Sequence, residues 1–304
     1  MKFEHIISAR QFDKNSLQKI FTLANQIKAK NYDKNLLAGK IMATLFYEPS
    51  TRTRLSFESA MIRLGGRVIS TENAGEFSSA AKGETLEDTI RIVNSYSDLI
   101  VLRHPKSGAS EKASKFSKVP IINAGDGEGE HPTQALLDVY TIFSKIKKEK
   151  FTVAMVGDLL NGRTVHSLSY LLSLFPKIKM IFISPKTLAI PKVLNSYLTE
   201  KKIEFTQSED LVNNLKVTDV VYMTRIQKER FKSLKEYKRY FGRYILDRKT
   251  IKSLSANSII MHPLPRVNEI SPEVDQDRRA IYFEQAQNGV FVRMALLTMI
   301  FDNY

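Results

Sequence analysis

The chain has 304 residues, 43% of them apolar and 10% aromatic, which is enough to bury the cores of about two domains. It holds no cysteine, and this excludes a disulfide framework, a thiolate zinc site, an iron–sulfur cluster and a cysteine nucleophile. Its 46 Lys and Arg outnumber 32 Asp and Glu for a net charge of +14, a surplus suited to nucleic acid, to anionic small substrates or simply to solubility.

The basic clusters at residues 145–150 and 228–243 match no recognised nucleic-acid motif, so no nucleic-acid partner is expected. The first 30 residues alternate charged and apolar groups without a signal-peptide core, and no run of 18 apolar residues occurs. A soluble cytoplasmic protein without a membrane partner is the expectation. The five histidines, at 5, 104, 131, 166 and 262, show no metal-ligand spacing, and neither a metal nor another cofactor is expected.

In chain order, residues 41–47 read as a strand, followed by a helix carrying Phe57, Ala60, Met61 and Leu64 at i, i+3, i+4 and i+7. Gly65 and Gly66 end it. Next come a strand at 68–70, a helix at 86–96, a strand at 99–102, a helix at 110–116 and a strand at 120–123. A long helix follows Pro132. In the second half, strands are expected at 151–156, 180–184, 203–206, 219–223 and 258–261, with a helix through Val165, Leu168, Leu172 and Phe175 after the first. The alternation implies an α/β protein of two doubly wound, mostly parallel domains. A final apolar helix at 291–301 is expected to return to the first domain, giving domains of 1–132 plus 286–304 and of 133–285.

Such folds bind ligands at strand-to-helix junctions. At one of them, Glu48-Pro49-Ser50-Thr51-Arg52-Thr53-Arg54 gathers three hydroxyls and two guanidiniums around the open N–H groups of a helix start. That combination suits a phosphate better than an ordinary cap does. His131 and Gln134 stand three apart at another helix start, so their side chains share a face. Residues 157–164 have the glycine spacing of a nucleotide P-loop, but Arg163 replaces the lysine and suits a carboxylate instead. The acidic loop Gly125-Asp126-Gly127-Glu128-Gly129 would repel a pyrophosphate. Arg225 and Gln227 follow a strand end, and His262-Pro263-Leu264-Pro265-Arg266 follows the last strand.

Taken in order, residues 50–54, Lys82-Gly83-Glu84-Thr85, Arg103-His104-Pro105, His131-Pro132-Thr133-Gln134, Gly162-Arg163-Thr164 and residues 262–266 resemble the aspartate/ornithine carbamoyltransferase family over nearly the whole chain. The aspartate branch is the more similar. His262-Pro263-Leu264-Pro265 stands where the ornithine branch usually carries His-Cys-Leu-Pro, and Met223-Thr224-Arg225-Ile226-Gln227 replaces its Ser-Met-Gly loop. A cationic Arg225 would also oppose the ammonium of ornithine.

The resemblance implies carbamoyl transfer from carbamoyl phosphate to the α-amine of L-aspartate. It places Ser50, Thr51, Arg52, Thr53 and Arg103 on the phosphate, and Thr53, Arg103 and His131 on the carbamoyl oxygen. Gln134, Pro263, Leu264 and Pro265 would line the carbamoyl NH2, while Lys82, Arg163, Arg225 and Gln227 would bind aspartate. Ser78 and Lys82 would come from a neighbouring subunit of a homotrimer. Leu160-Asn161 stands where members that pair with regulatory chains commonly carry Lys-Tyr, which leaves a regulatory partner open.

Overall fold

A computed structural model of the chain describes residues 4–74, 82–226, 233, 237, 238, 240 and 242–301. It divides into two compact units, 1–140 with 287–304 and 141–286.

The first unit opens with helix α1 (Lys14–Lys28), an element beyond those expected from the sequence. The signals were present. Asp13 caps Ser16 N–H at 2.7 Å, and Leu17, Ile20, Ala24 and Ile27 form a buried stripe at helical spacing. Four parallel strands follow: β1 (Ile41–Phe46), β2 (Arg67–Glu72), β3 (Leu99–His104) and β4 (Ile121–Asp126), in the order β2-β1-β3-β4. Between them lie α2 (Thr51–Arg63), α3 (Leu86–Val93) and α4 (Ala109–Ser114). Ala43, Leu45, Ile100 and Leu102 alternate along adjacent strands and pack with Ile90 and Ala113 from the helices. Most intervening strand residues are buried as well, which is why the strands read as continuous apolar runs.

Helix α2 stops as the sequence implies. Gly65 takes φ +84°, its N–H donates to Ile62 O, and Gly66 N–H donates to Met61 O.

Helix α5 (Pro132–Lys145) runs from the first unit into the second, whose parallel sheet is β5 (Phe151–Val156), β6 (Ile178–Ile183), β7 (Phe205–Ser208), β8 (Val220–Met223) and β9 (Ile259–Met261), ordered β7-β6-β5-β8-β9. Helices α6 (Arg163–Leu172), α7 (Lys192–Glu200) and α8 (Leu211–Leu215) complete it. Both sheets reverse direction beside their first strand, which is the doubly wound arrangement anticipated.

The last helix, α9 (Tyr282–Phe301), is nine residues longer at its start than the apolar stretch suggested. Its early polar residues have partners that only folding supplies: Gln285 accepts the His262 N–H at 2.9 Å, and Asn288 accepts Lys28 Nζ at 3.2 Å. From Gln287 onward the helix belongs to the first unit, as expected. Among the described residues no helix is long and apolar enough to cross a membrane.

Candidate active site

In an open parallel sheet, ligands lie beyond the carboxyl ends of the two strands where the winding reverses. In the first unit those strands are β1 and β3, paired with Phe46 opposite Arg103. The chain leaving β1 passes Glu48 and starts α2 at Thr51. Ser50 holds the N-cap position, yet its side chain makes no cap hydrogen bond. The first-turn N–H groups are therefore not closed by the residue best placed to close them. Thr51 and Arg52 are exposed and Thr53 is 7% exposed, so hydroxyl, guanidinium and backbone donors surround one helix start.

The two arginines of this motif divide. Arg54 belongs to the framework: it donates to Glu72 at 2.8 Å and Ser70 at 3.0 Å and pairs with Glu58 at 3.5 Å. Pairing with these carboxylates neutralises Arg54 locally, and it is not one of the residues expected on the phosphate. Arg103 emerges from β3 beside the same loop. It pairs with Glu48 at 3.4 Å and donates to Ala124 O at 3.3 Å. Glu48 thus orients Arg103, a role that no sequence pattern signalled.

His131, 4% exposed, precedes α5 after the loop that follows β4. That acidic glycine loop is folded on itself: Asp126 accepts Gly108 N–H at 2.8 Å and Glu130 N–H at 3.0 Å. Glu130 in turn accepts Ser8 Oγ and Ala9 N, both at 2.6 Å. Thr133 does not cap the helix, since its buried hydroxyl makes no hydrogen bond among the described residues. Gln134 donates from Nε2 to Asp138 Oδ1 at 2.9 Å, which fixes the amide and makes its oxygen the remaining acceptor. Asp138 is one turn away on α5, at the i+4 spacing that could have revealed it. Burial lowers Arg293, beneath Gly289 on α9, to about 10, with the Asp138 charge opposing the shift. Its guanidinium lies 4.9 Å from the Phe57 ring.

In the second unit the reversal lies between β5 and β8. Gly157, at φ +120°, leaves β5 so close to Thr224 that any Cβ would overlap the Thr224 carbonyl. Thr224 is itself fixed, its N–H and hydroxyl both donating to Val156 O at 2.8 Å. Arg163, at the first position of α6, and Arg225, just beyond Thr224, therefore rise from adjacent strand ends. The resemblance to a P-loop ends at the glycines. Leu159 N–H donates to Leu188 O at 3.0 Å and Asn161 N–H to Asp158 Oδ1 at 3.0 Å, so donors that would cradle phosphates are taken by the protein's own oxygens.

Beyond β9 the chain turns through residues 262–265, with Leu264 at φ +51° and a cis Leu264-Pro265 peptide. His262 is buried, and its ring bonds Glu269 and the Leu264 N–H, each at 2.7 Å. Arg266 pairs with Asp275 and donates to Tyr282 Oη at 2.9 Å, which makes it part of the scaffold. Burial pushes the Tyr282 hydroxyl well above its ordinary value. Lys82 is exposed in the turn before α3. Ser78 and Gln227 lie outside the described residues.

Two family models cover the chain: the carbamoyl-P binding domain of aspartate/ornithine carbamoyltransferase over residues 4–144, and the Asp/Orn binding domain over 149–300. A chloroplastic aspartate carbamoyltransferase of Arabidopsis thaliana is 55% identical over 306 residues, covering 98% of this chain and 78% of that protein. The catalytic subunit of M. jannaschii aspartate transcarbamoylase superposes with a TM-score of 0.90 at 48% identity over 99% of both chains. The Trypanosoma cruzi enzyme in complex with N-(phosphonacetyl)-L-aspartic acid gives 0.91 at 41% identity, over 98% of this chain and 96% of that one. With matching sequence along its length and the same two parallel-sheet units, this chain belongs to the aspartate/ornithine carbamoyltransferase family.

Proposed function

We propose that this enzyme transfers the carbamoyl group of carbamoyl phosphate to the α-amine of L-aspartate, a step of pyrimidine synthesis, giving N-carbamoyl-L-aspartate and phosphate. The observation that carries the reading is the placement of guanidinium groups at both winding reversals: Arg103 and the Arg52 helix start in one unit, Arg163 and Arg225 in the other. A doubly charged acyl donor suits the first set, and a dicarboxylic amine suits the second. This assignment is supported by the relatives, which are aspartate carbamoyltransferases, and by the T. cruzi aspartate transcarbamoylase, whose crystal structure holds carbamoyl phosphate and aspartate.

In this reading Ser50, Thr51, Arg52, Thr53 and Arg103 hold the phosphate, joined by Ser78 of a neighbouring subunit in a homotrimer. Thr53, Arg103 and His131 donate to the carbamoyl oxygen. The Gln134 oxygen and the carbonyls of Pro263 and Leu264 accept from its NH2, with Pro265 beside them. Arg163, Arg225, Gln227 and a neighbour's Lys82 hold the carboxylates of aspartate.

The amine attacks the carbamoyl carbon and an oxyanion forms. The bond from carbon to the phosphate oxygen then breaks, and the departing phosphate takes the amine proton. No covalent enzyme intermediate is required. Alignment of two held substrates supplies up to ~7–11 kcal/mol, and each fixed oxyanion donor ~2.7–4 kcal/mol.

The test is product formation by the purified chain from carbamoyl phosphate with aspartate, and separately with ornithine. Carbamoyl aspartate and equimolar phosphate, with no carbamoylation of ornithine, is the expected result. Ornithine use, or no transfer to aspartate, would overturn the reading.

A further inference from the structure

A buried, hydrogen-bonded polar pair not yet given a task lies behind the turn at residues 262–265. His262 is 2% exposed. Its Nδ1 accepts the Leu264 N–H at 2.7 Å, so that nitrogen carries a lone pair and the ring proton resides on Nε2. Nε2–H then donates to Glu269 Oε1 at 2.7 Å. Glu269, 5% exposed, also accepts the N–H groups of Val267 and Asn268, each at 3.1 Å. Burial by itself would raise this carboxyl, but the hydrogen bond from His262, with the backbone donors, holds it below its ordinary value. It therefore remains an acceptor. The His262 N–H donates to Gln285 at 2.9 Å, which fixes the entry to the turn.

This chain of bonds ends on Leu264, whose φ of +51° is a backbone conformation that L side chains rarely adopt. The Leu264 side chain packs on the core of the second unit, so the residue is held from both ends. We propose that His262 and Glu269 are positioning residues for the acyl donor. Glu269 fixes the imidazole tautomer, the imidazole lone pair holds the Leu264 N–H, and the Pro263 and Leu264 carbonyls are thereby aimed as acceptors for an NH2 group. The inference rests on the reading of residues 263–265 as part of the carbamoyl pocket. Its consequence is selectivity: carbonyls so placed reward a donor bearing NH2 and give nothing to the same donor bearing CH3.

Acetyl phosphate, which differs from carbamoyl phosphate by that one group, is the probe. Affinities for both are measured on the full chain, together with thermal unfolding, for the parent, His262→Leu, His262→Asn and Glu269→Gln. The parent prefers carbamoyl phosphate. His262→Leu lowers that preference by about tenfold while acetyl phosphate affinity stays unchanged. His262→Asn, whose Oδ1 can take the place of Nδ1 in accepting the Leu264 N–H, recovers most of the preference. Glu269→Gln loses part of it, because an amide N–H directed at Nε2 favours the wrong tautomer. A full parental preference in His262→Leu would overturn the proposal, as would an equal loss of both affinities, which marks a merely structural role. If His262→Leu does not fold, an unchanged preference in Glu269→Gln is the overturning result. A parent that fails to distinguish the two phosphates would overturn the underlying reading of residues 263–265 instead.

Discussion

Arg52 and Arg54 stand two residues apart on α2, and their surroundings assign them opposite tasks. Arg54 is bound to Glu58, Glu72 and Ser70, whereas Arg52 is exposed at the helix start beside Ser50 and Thr53. Replacing Arg52 with Ala should cut turnover on the order of 10²–10³, with little change in the urea midpoint. Near-normal turnover would remove it from the mechanism. Arg225 should behave differently, because it is read as a partner of a ground-state carboxylate. Arg225→Ala is expected to raise the aspartate KM by about 10- to 100-fold and to leave the carbamoyl phosphate KM in place. An unchanged aspartate saturation curve would refute that role.

Helices α5 and α9 each bury a charge of opposite sign in the first unit, and the Asp138 charge acts on Arg293. Asp138 on α5 and Arg293 on α9 are both almost wholly buried, and Asp138 also receives the Gln134 amide. Removing one partner leaves the other charge uncompensated, whereas removing both as a pair does not. Asp138→Asn or Arg293→Met alone should each destabilise the protein by about 3–5 kcal/mol. Asp138→Leu combined with Arg293→Met should be more stable than either single change in chemical denaturation. Additive losses would show that the two charges do not depend on each other. Helix α9 was only half legible in the sequence for a related reason. Its apolar end was visible as a run, but the buried polar residues at its start have partners more than 20 positions away.

For the molecule as a whole, the proposed trimer makes a prediction that a lone chain cannot satisfy. If Lys82 serves a neighbour's site, Arg52→Ala and Lys82→Ala chains place their defects in different subunits. Mixing the two inactive proteins under conditions that exchange subunits should then regenerate activity, since some sites receive both intact residues. Mixtures no more active than their components would sink the shared-site reading. The +14 charge fits the same scheme, as attraction for two anionic substrates.

Strand identity and the location of the main motifs were legible in the chain, because apolar periodicity and strand-to-helix junctions are local properties. Residues 41–47 against Ile41–Phe46 and residues 151–156 against Phe151–Val156 illustrate how closely. The ordered motifs were also enough to indicate the family, since each is a short run of neighbours. Partners distant in sequence were not legible. That Arg54 is neutralised by Glu72, that Glu48 orients Arg103 and that Glu269 fixes the His262 ring depend on which carboxylate lies within bonding distance after the strands have paired. Sequence lists the donors and acceptors, but only the folded chain brings them close enough to choose, because a hydrogen bond loses its strength within an ångström of its best length.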